Sequence, residues 1–375
     1  MAGIYIHIPF CKKACHYCNF HFSTTLHLKN ELITSLVSEI ELRKTYFSSE
    51  IIETIYFGGG TPSILDVSDL EKIIHAVHKN FKVADKIELT LEANPDDLQK
   101  EKINAFSKIG VNRLSIGIQS FFDEDLLFMN RTHNGSEAVS CIHNALESGI
   151  DNLSVDLIFG YPLLSDKKWA HNVDTVLEMN IPHLSCYAMT VEPHTAFSSF
   201  IQSKKMAPMD ADQSAKQYEY LMNRLNENGY EHYEISNYAK PGKRAQHNSS
   251  YWKGISYLGI GPSAHSYNGS CRQWNIANNA NYIQGIQNKN PLIELEVLTA
   301  EQIINESIMI GLRTIEGYNY SSIINQFTNE QKAAFERTKN QYLSQELIKE
   351  NNHIITLTQQ GKLLADHIAA DFFLV

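Results

Sequence analysis

Short apolar runs alternate with longer amphipathic segments along the first half of the chain. The runs are rich in β-branched and aromatic residues, which is typical of buried strands, whereas the longer segments repeat their apolar residues at helical spacing. The predicted strands are Ile4–Ile8, Thr54–Phe57, Ile87–Glu92, Arg113–Ile118, Leu153–Phe159 and His183–Met189. The predicted helices between them include Leu28–Thr45, Asp66–His78 and Glu137–Glu147. This order predicts an α/β fold with a parallel sheet and helical crossovers.

The pattern changes after the sixth predicted strand. A helix is predicted over Asp210–Asn228, and an aromatic and histidine-rich passage follows from Tyr230 to Trp274. From Thr299 onwards the pattern predicts three helices, a short strand at Ile354–Leu357 and a final helix, an order similar to a winged helix. This last part has six Lys and Arg against nine Asp and Glu, which is unfavourable for reading DNA. We interpret it as a packing or partner-binding domain.

Composition narrows the class of protein. The chain has 375 residues, 43% of them hydrophobic, which is enough for one large α/β domain and a smaller one. Its net charge of −10 argues against broad electrostatic binding to nucleic acid. No apolar run approaches the roughly 18 residues of a membrane span, and no leader peptide is recognisable. We therefore expect a cytoplasmic protein with reduced thiols, in which the scattered Cys141, Cys186 and Cys271 are buried core residues.

Unusual residues follow each predicted strand. They are the cysteine loop after the first strand, the run Gly58 to Pro62, the segment Glu92 to Pro95, Gln119, the segment Asp156 to Gly160, and Tyr187. Parallel α/β barrels carry their chemistry at the carboxyl ends of the strands. The sequence therefore predicts an active-site face at that edge of the sheet.

Three cysteines, Cys11, Cys15 and Cys18, form a Cys-x3-Cys-x2-Cys cluster directly after the first strand. Thiolates at this density suit zinc or an iron–sulfur cluster. A structural zinc site would need a fourth ligand such as His16 or His21. A cluster held by three thiolates would leave one iron open for another ligand, and spacing alone leaves both interpretations open.

With Tyr17 and Phe20 included, the segment becomes Cys-x3-Cys-x-Tyr-Cys-x-Phe. This resembles the signature of the radical S-adenosylmethionine (SAM) superfamily, in which three cysteines hold a [4Fe-4S] cluster and SAM chelates the fourth iron. The resemblance implies a partial parallel (β/α)6 TIM-like barrel with a mainly helical, winged-helix-like C-terminal domain. It predicts a barrel over residues 1–235, a connecting segment over 236–298 and the C-terminal domain over 299–375.

The resemblance also implies a set of SAM-binding residues. Gly58, Gly59, Gly60 and Thr61 match the glycine motif that receives the methionyl amino group, and Arg131 matches the arginine that binds the methionyl carboxylate. Gln119 and Asp156 match the residues that hold the ribose. Tyr5, Phe20 and Glu92 match further positions that line the cofactor, whereas the resemblance assigns no catalytic residue.

The segments Tyr5 to Cys11, Arg113 to Phe121 and Asp156 to Pro162 resemble the branch of oxygen-independent coproporphyrinogen III oxidases and related heme chaperones. Phe20 stands where the oxidase carries a fourth cysteine. Because only four residues precede Tyr5 in this sequence, we also expect the oxidase's amino-terminal substrate segment to be missing. The sequence from His247 to Trp252 matches the His-Asn-x-x-Tyr-Trp motif of the chaperones. We therefore expect a heme chaperone of porphyrin metabolism.

His247 is the first candidate for a heme ligand, because neutral imidazole is a common axial ligand, and His265 is its rival. The implied partners are heme and a heme-accepting protein. The resemblance leaves open a homodimer, a peripheral membrane contact through the acceptor, and the cleavage of SAM. Two other functions also stay open at this point. One is an enzyme that acts on a porphyrin or another small molecule through a SAM radical, including the oxidase itself. The other is tRNA modification, which the acidic balance disfavours.

Overall fold

The computed structural model describes residues 1–321 and 323–374. The six predicted strands are present as Ala2–Ile8 (β1), Ile52–Gly59 (β2), Val83–Ala93 (β3), Arg113–Gln119 (β4), Leu153–Phe159 (β5) and His183–Ala188 (β6). The helices of this half are Lys29–Leu42 (α1), Val67–Asn80 (α2), Lys100–Lys108 (α3), Asp123–Phe128 (α4), Gly135–Glu147 (α5) and Asp166–Glu178 (α6). After β6 come Ala196–Gln202 (α7) and Ala211–Glu227 (α8).

Strands β1 to β6 are parallel and lie side by side in chain order. Each contains a run of buried residues, and β1 is buried along its whole length except at the half-buried Tyr5. Continuous burial explains why these strands appear in the sequence as apolar runs rather than as alternating patterns. The α/β fold with a large, mostly parallel sheet is confirmed, and its carboxyl ends meet at one edge.

Short strands that the sequence pattern did not predict extend the sheet at both edges. They are Glu231–Glu234 (β7), Asn237–Ala239 (β8), Tyr257–Ile260 (β9), His265–Tyr267 (β10), Cys271–Asn275 (β11) and Ile293–Val297 (β12). Strand β8 pairs with β6, and β9 runs parallel to β1. The helices of this region are Gln246–Trp252 (α9) and Asn279–Gln287 (α10). The sheet therefore runs across residue 235, and the division of the chain into three segments stays a prediction.

The C-terminal part has its own hydrophobic core, built from residues between Ile304 and Phe372. Its elements are Ala300–Arg313 (α11), Tyr318–Asn319 (β13), Asn329–Ser344 (α12), Ile348–Asn351 (β14), Ile354–Leu357 (β15), Gln359–Lys362 (α13) and Ala365–Asp371 (α14). Strands β13, β15 and β14 form a small antiparallel sheet beside the helices.

The prediction of three helices before the strand at Ile354 was wrong in its middle element. The chain forms β13 and a single 3-10 turn at Ile324–Gln326 instead of that helix. α11 ends at Arg313, and Gly317, with φ +77°, lies in the turn directly before β13, which pairs with β15. No helix in residues 1–321 and 323–374 has both the length and the apolar character required to cross a membrane.

Candidate functional site

A cavity of about 430 Å³ opens at the carboxyl ends of the parallel strands, and we call it the first cavity. The predicted site residues that line it are Cys11, Cys15, Cys18, Phe20, Gly59, Gly60, Thr61, Glu92, Gln119, Arg131 and Asp156. They lie in the loops that follow β1, β2 and β4, at or near the carboxyl ends of β2, β3 and β4, and, in the case of Asp156, in the middle of β5. The parallel register thus brings together residues that are up to about 145 positions apart in the chain.

The three cysteines lie in the loop between β1 and α1, each as a half-buried free thiol. The Thr61 hydroxyl donates to Cys11 Sγ over 3.5 Å, and Arg131 Nη1 donates to Cys15 Sγ over 3.4 Å. Burial raises the pKa of the Cys11 thiol to about 11 and also raises that of Cys18. The thiolate is the form that binds metal, so its formation here is favoured by the positive charge of a bound metal centre.

The two histidines proposed for a zinc site make other contacts. His16 Nδ1 lies 2.9 Å from the backbone oxygen of Phe128, and His21 Nε2 lies 2.7 Å from Asn279 Oδ1. Within the part of the chain that the structure describes, no three His, Cys, Asp or Glu side chains are grouped so as to hold a single metal ion. The positions of His16 and His21 do not favour a tetrahedral zinc site completed by either of them.

The glycine run after β2 is packed against the backbone of the cysteine loop. A Cβ atom on Gly60 would lie 2.6 Å from the Phe10 oxygen and 2.9 Å from the Ile8 oxygen. Gly59 has φ +107°, and a Cβ there would lie 2.5 Å from the His7 ring. Hydrogen bonds from Gly60 N to Ile8 O and from Thr61 N to Phe10 O fix the two loops together. The glycines thus allow a backbone approach that side chains would block.

Arg131 and Gln119 each present an unsatisfied polar atom near the first cavity. Arg131 Nη2 donates to Asn94 Oδ1 and to the Gly117 oxygen, both over 2.7 Å, whereas its buried Nε has no hydrogen-bond partner among the described residues. Gln119 adopts φ +66°, and its buried Oε1 likewise has no partner in the described chain. Buried polar atoms are normally paired, so these two fit a ligand that brings its own carboxylate and hydroxyl groups.

Two carboxyl groups line the same cavity, one on β3 and one on β5. Glu92 accepts from the Tyr56 hydroxyl over 2.6 Å and from Gly59 N over 3.2 Å, and burial raises its pKa to about 7. Asp156 accepts from the Ser115 hydroxyl over 3.4 Å, and burial raises its pKa to about 6. A cationic ligand would favour the charged form of both groups.

A second cavity of about 450 Å³ adjoins the first and shares Glu92 and Tyr187 with it. The predicted residues Tyr5 and His247 line this second cavity rather than the first. Gly58 lies beneath it, because a Cβ on Gly58 would meet the Tyr5 and Tyr56 rings at 2.9 Å. The four named residues of the His-Asn-x-x-Tyr-Trp motif, His247, Asn248, Tyr251 and Trp252, all line the second cavity.

The two candidate heme histidines differ in their surroundings. His247 is 2% exposed, and both of its ring nitrogens make hydrogen bonds, Nδ1 with the Thr54 hydroxyl at 2.7 Å and Nε2 with the Tyr251 hydroxyl at 2.9 Å. His265 is exposed on β10, with its ring stacked on Trp274 at 5.8 Å. The structure thus separates His265 from the residues that line either cavity.

Sequence reasoning missed several residues of these cavities, among them Tyr56, Glu234 and Arg313. Tyr56 donates to Glu92, and the period of two along β2 puts it on the same side of the strand as Gly58, so alternation could have identified it. Glu234 and Arg313 pair at 3.2 Å across the second cavity. They lie 79 positions apart, and no local pattern connects them.

Two family models match this chain, and its sequence is similar to that of several known proteins. A family model described as the radical SAM superfamily matches residues 5–176, and one described as the HemN C-terminal domain matches residues 298–364. "Heme chaperone HemW" of Bacillus subtilis is 33% identical, over 99% of both chains. "Heme chaperone HemW" of Escherichia coli is 35% identical over 70% of this chain and 69% of that one.

One solved structure has the same fold as this chain. The coproporphyrinogen III oxidase HemN from Escherichia coli, described as a radical SAM enzyme, superposes with a TM-score of 0.85 at 23% identity. The match covers 99% of this chain and 90% of that one. At this identity the likeness shows the fold alone, whereas the full-length likeness to the chaperones carries the family assignment. The chain therefore belongs to the radical SAM superfamily and, within it, to the family of HemW heme chaperones.

Proposed function

We propose that this chain binds a [4Fe-4S] cluster and SAM in the first cavity, and that it binds heme and passes it to an acceptor protein. The radical SAM superfamily implies the cluster and SAM, and the relatives' name, heme chaperone, implies heme and an acceptor. The observation that carries the proposal is the adjacency of the two cavities. One contains the three cysteines, and the other is lined by the His-Asn-x-x-Tyr-Trp motif.

Cys11, Cys15 and Cys18 would hold the cluster through three thiolates and leave one iron for SAM. SAM carries an ammonium, a carboxylate, a ribose and a sulfonium, and the first cavity offers a counterpart to each. The backbone of Gly59 and Gly60 is open to the ammonium, and the unpaired Arg131 Nε suits the carboxylate. Gln119 and Asp156 suit the ribose hydroxyls, while Glu92 adds a carboxyl group that favours the sulfonium charge.

The proposal includes three further residues, Phe20, Thr61 and Tyr5. Phe20 is 68% exposed although it lines the first cavity, so a bound cofactor could cover its ring. Thr61 donates to Cys11 Sγ, and this contact supports a role for Thr61 beside the proposed cluster. Tyr5 lies on the side of the second cavity, and its hydroxyl is 3.1 Å from His7 Nδ1.

Arg131→Ala should weaken SAM binding by about ten- to a hundredfold, because a hydrogen bond between charged groups is worth roughly 1.5–3 kcal/mol. Calorimetry with SAM on the reconstituted protein measures the change, and iron analysis checks that the cluster survives the loss of the contact with Cys15. Arg244→Ala is a matched control, because Arg244 pairs with Glu231 and Glu316 away from the cavities. Unchanged SAM affinity in Arg131→Ala would mean that this arginine serves only the fold.

Oxidation of coproporphyrinogen is the competing function, since the fold is shared with HemN. Phe20 favours the chaperone, because it occupies the position of the oxidase's fourth cysteine and cannot ligate metal. The relatives' names say nothing of a homodimer, a membrane contact or a nucleic acid, and we propose none of these.

The proposed function is tested by anaerobic titration of the cluster-loaded, SAM-bound protein with ferric heme. We expect saturable binding with one heme per chain, followed by release of that heme to apomyoglobin. The absence of saturable heme binding would contradict the proposal, and so would heme that binds but cannot be released.

A further inference from the structure

The second cavity, which we also call the chamber, is lined largely by aromatic side chains and adjoins the first cavity. Its lining includes the rings of Tyr5, Tyr56, Tyr187, Tyr251 and Trp252. Aromatic faces of this kind pack well against a flat conjugated ligand. Because the chamber shares Glu92 and Tyr187 with the first cavity, a ligand in it would lie beside SAM.

His247 is held in a way that leaves no nitrogen free for iron. Nδ1 is paired with Thr54, Nε2 is paired with Tyr251, and the ring stacks on Tyr56 with 5.0 Å between centroids. A Cβ on Gly3 would lie 3.1 Å from the His247 ring, so the backbone of β1 also confines it. Burial lowers the pKa of His247 to about 3, and the imidazole is therefore neutral near pH 7. Ligation by this ring would require a hydrogen bond to break and the ring to leave its packing.

Tyr251 is the group that His247 orients toward the chamber. It is half-buried, its hydroxyl is bonded to His247 Nε2, and its ring packs edge-on against Tyr257 at 4.6 Å. Phenolate oxygen is an established type of axial ligand to heme iron, and metal ligands are commonly oriented by a second residue that is hydrogen-bonded to them. We propose that the second cavity is the heme site, with Tyr251 as the axial ligand and His247 as the positioning residue. This inference rests on the proposed function, since it names the site and ligand of the same heme.

Binding of the heme iron by Tyr251 requires no oxidant or reductant. The O–H bond of the Tyr251 phenol breaks, an Fe–O bond forms, the proton leaves to solvent, and the iron stays ferric. The positive charge of ferric iron favours the phenolate form of the bound tyrosine. The adjacent imidazole can donate its Nε2 proton to that phenolate once Thr54 donates to Nδ1.

The same chamber contains donors for the carboxylates of heme. Trp252 Nε1 is buried and has no acceptor among the described residues. Arg313 lies over the Trp252 ring at 5.5 Å and also pairs with Glu234. A propionate that accepts from Trp252 Nε1 would therefore lie near a guanidinium supplied by α11, which belongs to the C-terminal part of the chain.

The test compares wild type, Tyr251→Phe and His247→Ala with a matched control, Tyr257→Phe. Each cluster-loaded protein is titrated with ferric heme, and electron paramagnetic resonance and resonance Raman spectra are recorded to separate heme from cluster. We expect Tyr251→Phe to lose the iron–phenolate vibration and to bind heme at least about tenfold more weakly, while Tyr257→Phe matches wild type. His247→Ala should keep the phenolate vibration at a shifted frequency.

Four results would overturn the inference. A wild-type spectrum without an iron–phenolate vibration, or an unchanged spectrum in Tyr251→Phe, rejects Tyr251 while the proposed heme function stands. Loss of an imidazole-ligated signal only in His247→Ala assigns the iron to His247 instead. No heme binding by wild type rejects the proposed function and this inference together. Iron content and SAM affinity in each variant show whether the first cavity is intact.

Discussion

Cys15→Ser is expected to lose the [4Fe-4S] cluster while the protein keeps its fold. The side chain is half-buried in a loop outside the two hydrophobic cores, so an oxygen in place of sulfur costs little packing. The cluster, however, depends on soft thiolate ligands, and only two would remain. Iron and sulfide analysis after anaerobic reconstitution should fall from about four of each per chain to background. Circular dichroism should be unchanged.

Cys271→Ser is the matched control for this experiment. Cys271 is also a half-buried free thiol, so the prediction that it is a buried core residue was wrong, and only Cys141 and Cys186 are buried. Because Cys271 lies on β11, its loss should leave the iron content unchanged. An intact cluster in Cys15→Ser would refute the assignment of the three ligands. Stoichiometric zinc in the wild-type protein, prepared without oxygen and with iron present, would refute the cluster itself.

Gly60→Ala is expected to damage both stability and SAM binding. The added Cβ meets backbone atoms of Phe10 and Ile8, which cannot move without stretching the hydrogen bonds that join the glycine run to the cysteine loop. Overpacking of this kind typically costs about 1–3 kcal/mol in the free energy of unfolding. The displaced backbone should also weaken SAM binding by at least about tenfold, because that backbone lines the first cavity.

Gly269→Ala separates steric crowding from conformational strain. Gly269 has φ +94°, but a Cβ there meets no atom within 4 Å. This variant should therefore lose only about 1 kcal/mol from the backbone conformation and bind SAM normally. Denaturant unfolding and calorimetry on both variants decide the point. Equal SAM affinity in Gly60→Ala and wild type would show that the glycine run does not contact the cofactor.

The parallel strands could be predicted from the sequence because each contains a run of at least three buried residues. Leu153–Phe159 agrees residue by residue with β5, and the starts of β4 and β6 were also predicted correctly. The edge strands could not be predicted in the same way. β10, for example, contains only His265, Ser266 and Tyr267, and it is a strand because β9 and β11 lie beside it. Strands this short depend on tertiary pairing rather than on their own pattern.

In the candidate site, too, local features could be predicted from the sequence, whereas contacts between distant residues could not. Local motifs identified the cysteines and the glycine run, and the order of the strands placed them at one edge. The hydrogen bond between His247 and Thr54 could not be predicted, because Thr54 lies 193 positions away, on β2, whereas His247 lies on α9. The sequence therefore made His247 a candidate ligand, whereas the structure shows that its nitrogens are paired. The assignment of the individual site residues stays a prediction until the variants are measured.

We propose that this chain carries heme rather than making its precursor. One anaerobic reaction tests it directly, with reconstituted protein, SAM, a reductant, heme and coproporphyrinogen III together. Gel filtration then measures heme that co-elutes with the protein, and chromatography of the tetrapyrroles measures conversion. We predict one heme per chain and coproporphyrinogen recovered unchanged. Decarboxylated product with no heme retained on the protein would contradict the claim.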